Sequence, residues 1–288
     1  MICIHHNKDL DGFSSGAIVK LRYPECKLIG WDYKDPIPWN DISKNDDIIM
    51  IDISFPMDDM LKLKDLNKSL TIIDHHISFN KDFEAYENTN KYKITYIYEA
   101  NKAACEIGWE YFFPNQEVPY AITLLGRYDT WRQKEGDWEN ETLPFQYYMR
   151  IGCTSAETFP IFLLKEEKIP NMLTITQYVN GGNLVLKYQE QQDMLACERS
   201  SFEAIVGGFR AICLNTRSFS SNTLKTVYNP EKHDILVGFE YTGTKWSVSL
   251  RSIKPEFDVS LIAKSRGGGG HKAAAGFETN TFEEIFKN

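Results

Sequence analysis

Three short stretches of this sequence combine carboxylates and imidazoles at spacings that suit a metal site. The stretch HHNKDLDG contains His5, Asp9 and Asp11, the apolar run IIMI ends at Asp52, and residues 74–76 read DHH. The spacing of the first stretch suits a loop that folds back over a metal, so an imidazole and two loop carboxylates can converge, and Gly12 at its end allows the turn into the next helix. Oxygen and nitrogen ligands without cysteine favour Mn²⁺ or Mg²⁺ over structural zinc.

The number of carboxylates in these stretches bears on how many ions they would hold. Four or more carboxylates packed together repel each other at neutral pH unless cations compensate their charge. Two divalent ions about 3.5–4 Å apart supply such compensation and form the clamp used in phosphoryl hydrolysis. One aspartate or histidine alone is more often a loop cap or a hydrogen-bonded core residue. Three such stretches at successive strand ends therefore predict a two-metal hydrolytic site.

The elements that must position these residues are short strands alternating with helices. MICIHH, CKLIGW, DIIMIDIS and LTIIDHH are strand-like, and DGFSSGAIVKLRY and PMDDMLKLKDLNKS carry helical periodicity. This rhythm predicts an α/β N-terminal domain over residues 1–180, with a Rossmann-like parallel sheet covered on both faces. Ligands in such sheets collect beyond the carboxyl ends of the strands. Every strong strand except the second ends in metal-type ligands, so we expect these ligands to meet.

The pattern changes near residue 180. Residues 181–205 predict a long connecting helix that runs through the segment SSFEAI. Residues 206–288 predict a smaller α+β C-terminal domain, in which FRAICLNT, DILVGFEY and KWSVSLRSI are strands and DVSLIAKS is a final helix. The last two of these strands form a hairpin through the turn TGT.

A run of glycines follows that final helix, in GGGGHKAAAGF at residues 267–277. Glycines let backbone N–H groups approach an anion closely, so we expect a substrate-binding loop here. The donors predicted for it are Gly268, Gly269, Gly270, His271, Arg251 and Ser252. Arg266 is either a phosphate contact or a solvated charge.

Composition restricts the classes of protein and of partner. The chain has 288 residues, a net charge of −8 and six cysteines without CxxC spacing. Two domains fit this length, and the acidic balance argues against a surface that coats nucleic acid. We find no run of 18 apolar residues and no basic leader. These observations predict a soluble cytoplasmic protein without a membrane partner, and a homodimer is the default oligomer.

The motifs resemble those of a known family. HNKDLDG, IDIS around Asp52 and DHH at 74–76 look like the first three motifs of the DHH phosphoesterase superfamily, and GGGGHKAAAGF looks like the signature of the DHH-associated C-terminal domain. The resemblance spans essentially the whole chain and is strongest to short-oligonucleotide nucleases and 3′-phosphoadenosine 5′-phosphate (pAp) phosphatases. Leu10 is a departure, because DLD in place of DGD is similar to the exopolyphosphatase branch.

The resemblance implies two Mn²⁺ ions per chain, with Mg²⁺ as a possible substitute. One ion would be held by His5, Asp9 and Asp52, and the other by Asp11, Asp52, His75 and a fourth-motif aspartate. Asp129 in LLGRYDTW is the choice for that last position, and Asp137 is the alternative.

Three further residues surround these ligands. The resemblance implies that Asp74 orients His75 from behind and that His76 faces the scissile phosphate. His6 has no counterpart and is expected on the opposite face of its strand.

The function implied is that of a cytoplasmic manganese-dependent hydrolase, a phosphodiesterase of the oligoribonuclease type acting on short oligonucleotides or small nucleotides such as pAp. Two alternatives remain: an exopolyphosphatase or pyrophosphatase, and a non-catalytic nucleotide sensor. Tyr128 and Trp131, beside Asp129, are either base-stacking residues or part of the core.

Overall fold

The chain folds into two compact units, residues 1–186 and 187–288, divided within one long helix. The computed structural model describes residues 1–33, 35–87, 94–165, 168–217, 219, 223–224 and 226–286. The helix runs from Lys168 to Ser200, so it begins earlier and ends sooner than the sequence pattern predicts. None of the helices in these ranges combines the length and apolar content that a membrane span requires.

The first unit contains a five-stranded parallel sheet, which confirms the predicted α/β fold. The strand order is β2-β1-β3-β4-β5. The strands are β1 (Ile2–His6), β2 (Lys27–Trp31), β3 (Asp47–Ile51), β4 (Ser69–Asp74) and β5 (Thr95–Tyr98). Because side chains alternate along a strand, Cys3 packs into one apolar layer while Ile2 and Ile4 pack into the other.

Helices cover both faces of this sheet. They are α1 (Leu10–Arg22), α2 (Met57–Leu66), α3 (Ile77–Glu87), α4 (Ala104–Phe112), α5 (Tyr120–Asp129), α6 (Leu143–Gly152) and the long α7 (Lys168–Ser200), with a π-helical turn at Trp138–Thr142 and a 3₁₀ turn at Ile161–Leu164. The layer that contains Cys3 also contains buried residues of α1, α4 and α5. Leu10 is 4% exposed within that layer.

The second unit has a mixed six-stranded sheet in the order β10-β11-β9-β8-β7-β6, antiparallel except between β7 and β8. Its elements are β6 (Phe202–Val206), β7 (Phe209–Asn215), β8 (Ile235–Tyr241), β9 (Trp246–Arg251), α8 (Val259–Ser265), β10 (Gly269–His271) and β11 (Ala274–Thr279). The segment FEAI, expected in the long helix, is the start of β6. Its phenylalanine and isoleucine are residue types that are enriched in strands.

The glycine run serves the fold of this unit in a way that the sequence did not predict. Gly267 has φ +77° and follows the last turn of α8, where its N–H donates to the carbonyl of Lys264 at 3.2 Å. The N–H of Gly268 donates to the carbonyl of Ala263 at 2.8 Å, which completes a Schellman motif. A Cβ at position 268 would lie 2.1 Å from the Gly276 carbonyl oxygen. These two glycines therefore end a helix, and the next residues form the edge strand β10.

Candidate metal centre

The first unit brings the predicted ligands to one edge of its sheet. Strands β2 and β3 lie on either side of β1, so the chain changes direction across the sheet at β1, the place where open parallel sheets bind ligands. Asp52 immediately follows β3 and has φ +63°, a left-handed conformation that aspartate adopts more readily than most residues. The backbone therefore leaves the extended strand geometry at Asp52, the candidate ligand that follows β3.

One ligand group contains His6, Asp9 and Asp52, which offer ligand atoms within 4.8 Å of one another. His6 Nδ1 lies 3.4 Å from Asp9 Oδ2 and 3.4 Å from Asp52 Oδ2. Asp9 is the N-cap of α1, and its other oxygen accepts the N–H of Gly12 at 3.0 Å. A Cβ at position 12 would lie 2.1 Å from the carbonyl oxygen of His6. Glycine therefore lets α1 begin directly against the end of β1.

A second ligand group contains Asp11, His75 and Asp129. His75 Nε2 lies 3.6 Å from Asp11 Oδ2 and 3.4 Å from Asp129 Oδ2. The same nitrogen is 3.4 Å from Asp52 Oδ1. The two oxygens of Asp52 thus face different groups, which is the arrangement of a carboxylate shared by two ions.

Asp11 is held in place by the start of α4. Its carboxylate oxygens accept the backbone N–H groups of Ala104 at 3.0 Å and of Cys105 at 2.8 Å. Unpaired N–H groups at a helix N-terminus favour a negative charge. The first turn of α4 therefore fixes a carboxylate that is 3% exposed.

Asp74 contacts the side chain of the second histidine of the DHH motif and the backbone of the first. Its Oδ1 accepts the backbone N–H of His75 at 2.7 Å and lies 2.7 Å from Nδ1 of His76. The imidazole that Asp74 holds is therefore that of His76, whereas the family resemblance implied that of His75. The His76 side chain is 38% exposed, and the hydrogen bond with Asp74 outweighs burial and raises its pKa.

The structure does not bring His5 into either ligand group. His5 is 1% exposed, its Nδ1 hydrogen-bonds the carbonyl of His6 at 2.9 Å, and burial lowers its pKa. A Cβ at Gly16 would lie 2.9 Å from the His5 ring, so that ring packs against α1. Because β1 extends to residue 6, side-chain alternation directs His5 into the same layer as Cys3 and leaves His6 at the ligand edge.

The end of β2 supplies two site residues that the sequence reasoning missed. Asp32 Oδ1 lies 3.6 Å from His6 Nε2, on the side of the ring opposite its ligand nitrogen. The Tyr33 ring centroid is 6.1 Å from that of His6, and burial together with the charge of Asp74 raises the pKa of the phenol to about 12. The β2 segment carried no histidine or paired carboxylate, but an aspartate after a buried tryptophan at a strand end was a usable signal.

The donor set fits divalent cations. Asp52 is 2% exposed, and its Oδ2 has no hydrogen-bond partner among the described residues. A buried carboxylate oxygen that accepts no hydrogen bond is costly unless a cation compensates its charge. Asp9, Asp11 and Asp129 add three carboxylates to two imidazoles, and such oxygen-rich ligands suit Mn²⁺ or Mg²⁺.

Without a cation, the site carries perturbed charges. Burial, and then the charge of Asp52, raise the pKa of Asp11 to about 8, and burial together with Asp11 raises the pKa of Asp129 to about 7. Burial lowers the pKa of both His6 and His75, but the neighbouring carboxylates outweigh it and raise each to about 10. Protons thus take the place of cations in the metal-free protein.

We expect the metal-free protein to lose stability as the pH rises. A folded-state pKa raised above the unfolded value of about 3.9 means that folded Asp11 holds a proton that the unfolded chain has released, so the free energy of unfolding falls between about pH 4 and pH 8. The stabilisation from His6 and His75 is complete below about pH 6.5 and is lost as the pH rises through 10. Both effects therefore lower the free energy of unfolding as the pH rises.

Thermal unfolding in a chelator at about pH 6 and about pH 9 should show a Tm lower by several degrees at the higher pH, because about 1 kcal/mol corresponds to roughly 2–4 °C in a chain of this size. Saturating Mn²⁺ should reduce the difference, since cations then replace the protons. A metal-free Tm that rises over this range would contradict the electrostatic account.

Asp137, the alternative fourth ligand, lies elsewhere. Its Oδ1 accepts the backbone N–H of Asn140 at 3.0 Å and caps the π-helical turn. Asp137 therefore acts as the N-cap of the turn at Trp138–Thr142. Of the two candidates, the geometry brings only Asp129 to His75.

The predicted substrate-binding residues belong to the second unit. Arg251 ends β9, where its Nη1 donates to the Leu250 carbonyl at 2.9 Å, and Ser252 Oγ donates to the Lys254 carbonyl at 2.8 Å. Arg266 Nη1 donates to the carbonyls of residues 284 and 285 at 3.2 and 2.8 Å, so its guanidinium joins the C-terminal segment to α8. Gly269, Gly270 and His271 form the exposed edge strand β10.

Comparison with known proteins finds a family model that matches part of the first unit. Residues 1–125 match the model of the DHH family, N-terminal domain. An uncharacterized protein, R106, of Acanthamoeba polyphaga mimivirus is 25% identical over 299 residues, covering 96% of this chain and 66% of the relative. The chain thus spans just under two thirds of that relative's length.

Two solved structures share the fold. The pGpG-specific phosphodiesterase PggH of Vibrio cholerae aligns with a TM-score of 0.58 at 12% identity. The alignment covers 98% of this chain and 94% of the PggH chain. RecJ of Thermus thermophilus in complex with Mn²⁺ aligns with a TM-score of 0.52 at 15% identity. The alignment covers 99% of this chain and 50% of the RecJ chain. At such low identities, the likeness concerns the fold alone.

Proposed function

We propose that this chain, whose residues 1–125 match the model of the DHH family, N-terminal domain, is a metal-dependent phosphoesterase of that superfamily. Its substrates in this proposal are phosphodiester bonds in short oligonucleotides or small nucleotides such as pAp, hydrolysed with two Mn²⁺ ions. The observation that carries this proposal is the position of Asp52. Its two carboxylate oxygens face separate groups of ligand atoms, and one of them is buried without a hydrogen-bond partner among the described residues.

Each ion has a distinct set of ligands in this proposal. His6, Asp9 and Asp52 would hold one, and Asp11, Asp52, His75 and Asp129 would hold the other. When bound, the pair supplies Lewis acidity toward the phosphate oxygens and a water of lowered pKa. Mg²⁺ suits the same oxygen-rich set, so we expect it to support a measurable activity.

The protein contributes positioning and charge. Asp74 holds His76 through Nδ1 and favours the protonated imidazole. The other ring nitrogen, Nε2, can then donate to a phosphate oxygen as negative charge develops there. The start of α4 fixes Asp11, and Asp32 lies behind His6 as carboxylates commonly do behind ligand imidazoles. These contacts hold the ligands in place before substrate binds.

Nucleotide substrates are favoured over inorganic polyphosphate. The DLD variant of the first motif was the main sign of an exopolyphosphatase, but Leu10 is buried in the core layer and so is not a substrate contact. The pGpG-specific phosphodiesterase named above has the same fold. In the second unit, Arg251, Ser252 and His271, with Gly269 and Gly270, are the residues proposed to hold the unreactive part of a short ligand.

A substrate panel tests this proposal. The full chain, freed of metal and then supplied with Mn²⁺ or Mg²⁺, would be assayed with 5′-labelled dinucleotides to pentanucleotides, pAp, cyclic dinucleotides and pyrophosphate. We expect release of mononucleotides from the shortest substrates with Mn²⁺, and little phosphate from pyrophosphate. Cleavage of pyrophosphate alone would replace this proposal by the polyphosphatase alternative. Tight binding of nucleotides without turnover of any substrate would indicate a sensor.

A further inference from the structure

An exposed aromatic side chain, two residues after a candidate metal ligand, has a strained backbone conformation. Trp131 is 58% exposed and lies two residues after Asp129, at the end of α5. Its φ is +56°, in the left-handed region that bulky side chains rarely adopt. Neither exposure of an indole nor such a backbone favours folding, and strain of this kind concentrates at functional sites.

The turn that carries Trp131 is firmly anchored. Thr130 Oγ1 donates to the Gly126 carbonyl at 2.7 Å, and Arg132 Nε donates to Thr130 Oγ1 at 2.7 Å. Arg132 also forms an ion pair with Glu106, whose side chain is 8% exposed. Residues on both sides of Trp131 are therefore fixed, so its position is set before any ligand arrives.

Neighbouring aromatic rings support one part of the indole. The Tyr128 and Trp138 rings are stacked, with centroids 5.7 Å apart and planes 5° from parallel. Trp131 packs against Trp138 at 5.1 Å with an interplanar angle of 69°. The guanidinium of Arg150 lies 5.0 Å from the Tyr128 ring. This cluster holds Trp131 without covering it.

We propose that Trp131 is a stacking platform for a nucleobase of the substrate, an inference that rests on the proposed phosphodiesterase function. Every nucleobase has a π face, and stacking on an aromatic side chain binds it with little dependence on sequence. Inorganic phosphate chains have no such face. Trp131 thus selects nucleotides over polyphosphates, from a position two residues from a metal ligand.

The test compares variants on substrates that differ only in a base. Trp131→Leu removes the aromatic face, Trp131→Phe keeps one, and Tyr111→Leu removes an aromatic residue that is 44% exposed on α4 in the same unit. The kcat and KM of each would be measured with Mn²⁺ on a dinucleotide and on its two abasic analogues, each lacking one base. Unfolding temperatures would show whether every variant is folded.

We expect Trp131→Leu to lower kcat/KM for the dinucleotide by about 10-fold, mainly through KM, as stacking energies on aromatic side chains suggest. Trp131→Phe should recover most of this loss. The wild type should lose a similar factor on one abasic analogue, and on that analogue Trp131→Leu should cause little further loss. Tyr111→Leu should match the wild type throughout.

Two results would overturn the inference while leaving the proposed function intact: an unchanged KM for the dinucleotide in Trp131→Leu, or an equal loss on the dinucleotide and both abasic analogues. If the wild type cleaves neither the dinucleotide nor any other nucleotide of the substrate panel, the proposed function itself fails, and the inference fails with it.

Discussion

Substitution of Asp52 by asparagine is expected to abolish metal-dependent hydrolysis. Asp52 faces His6 through one oxygen and His75 through the other, at 3.4 Å in each case. Changes to residues behind metal ligands typically cost about 10–100-fold, so loss of a charge shared by both ligand groups should lower kcat by about 1,000-fold or more. Asparagine is chosen because it tolerates the left-handed φ of +63° at this position, whereas alanine would add backbone strain.

Two measurements separate this effect from misfolding. Metal-free Asp52→Asn should still unfold in one cooperative transition, at a lower temperature than the wild type, because the change removes the charge that faces the protonated imidazoles of His6 and His75. Calorimetry should show loss of at least one of two tight Mn²⁺ sites. Asp58→Asn, at an exposed position on α2, is the matched control and should behave as wild type. Wild-type turnover by Asp52→Asn would exclude the shared-carboxylate site.

The sequence predicted the sheet of the first unit because its strands are short apolar runs that end at informative residues. The predicted runs around Ile2–His6, Lys27–Trp31, Asp47–Ile51 and Ser69–Asp74 are β1 to β4, and their parallel order follows from the intervening helices. The strand β5 and helix α3 were not predicted, since TYIY and ISFNKDFEAYE have weak periodicity. Parallel alignment of β1, β3 and β4 alone suffices to bring the three motifs together.

Side-chain direction was harder to predict than position along the chain. Which of His5 and His6 faces the site depends on where β1 ends, and a shift of one residue reverses the face. The contribution of β2 was missed because Asp32 is near His6 only through the sheet pairing of β1 with β2. The role of Gly267 and Gly268 at the end of α8 was not predicted, because a run of glycines suits an anion-binding loop and a helix end equally well.

The adjacent histidines give the sharpest test of the geometry. His6→Ala should lower Mn²⁺ affinity and reduce kcat/KM by about 100-fold or more, because it removes a ring nitrogen that faces both Asp9 and Asp52. His5→Asn should retain activity close to the wild type at saturating Mn²⁺, since the amide can still donate to the carbonyl of residue 6. His5→Asn should instead lower the free energy of unfolding by about 1–3 kcal/mol, because a buried ring is removed.

The two variants therefore differ in activity, which His6→Ala loses and His5→Asn retains. Activity across a Mn²⁺ titration, together with denaturant unfolding in a chelator, distinguishes them. The opposite result, with His5→Asn inactive at every Mn²⁺ concentration and His6→Ala active, would return His5 to the ligand set that the family resemblance implied. Because the two residues are neighbours in one strand, no displacement of β1 as a whole can mimic both outcomes, so the pair reports on side-chain direction alone.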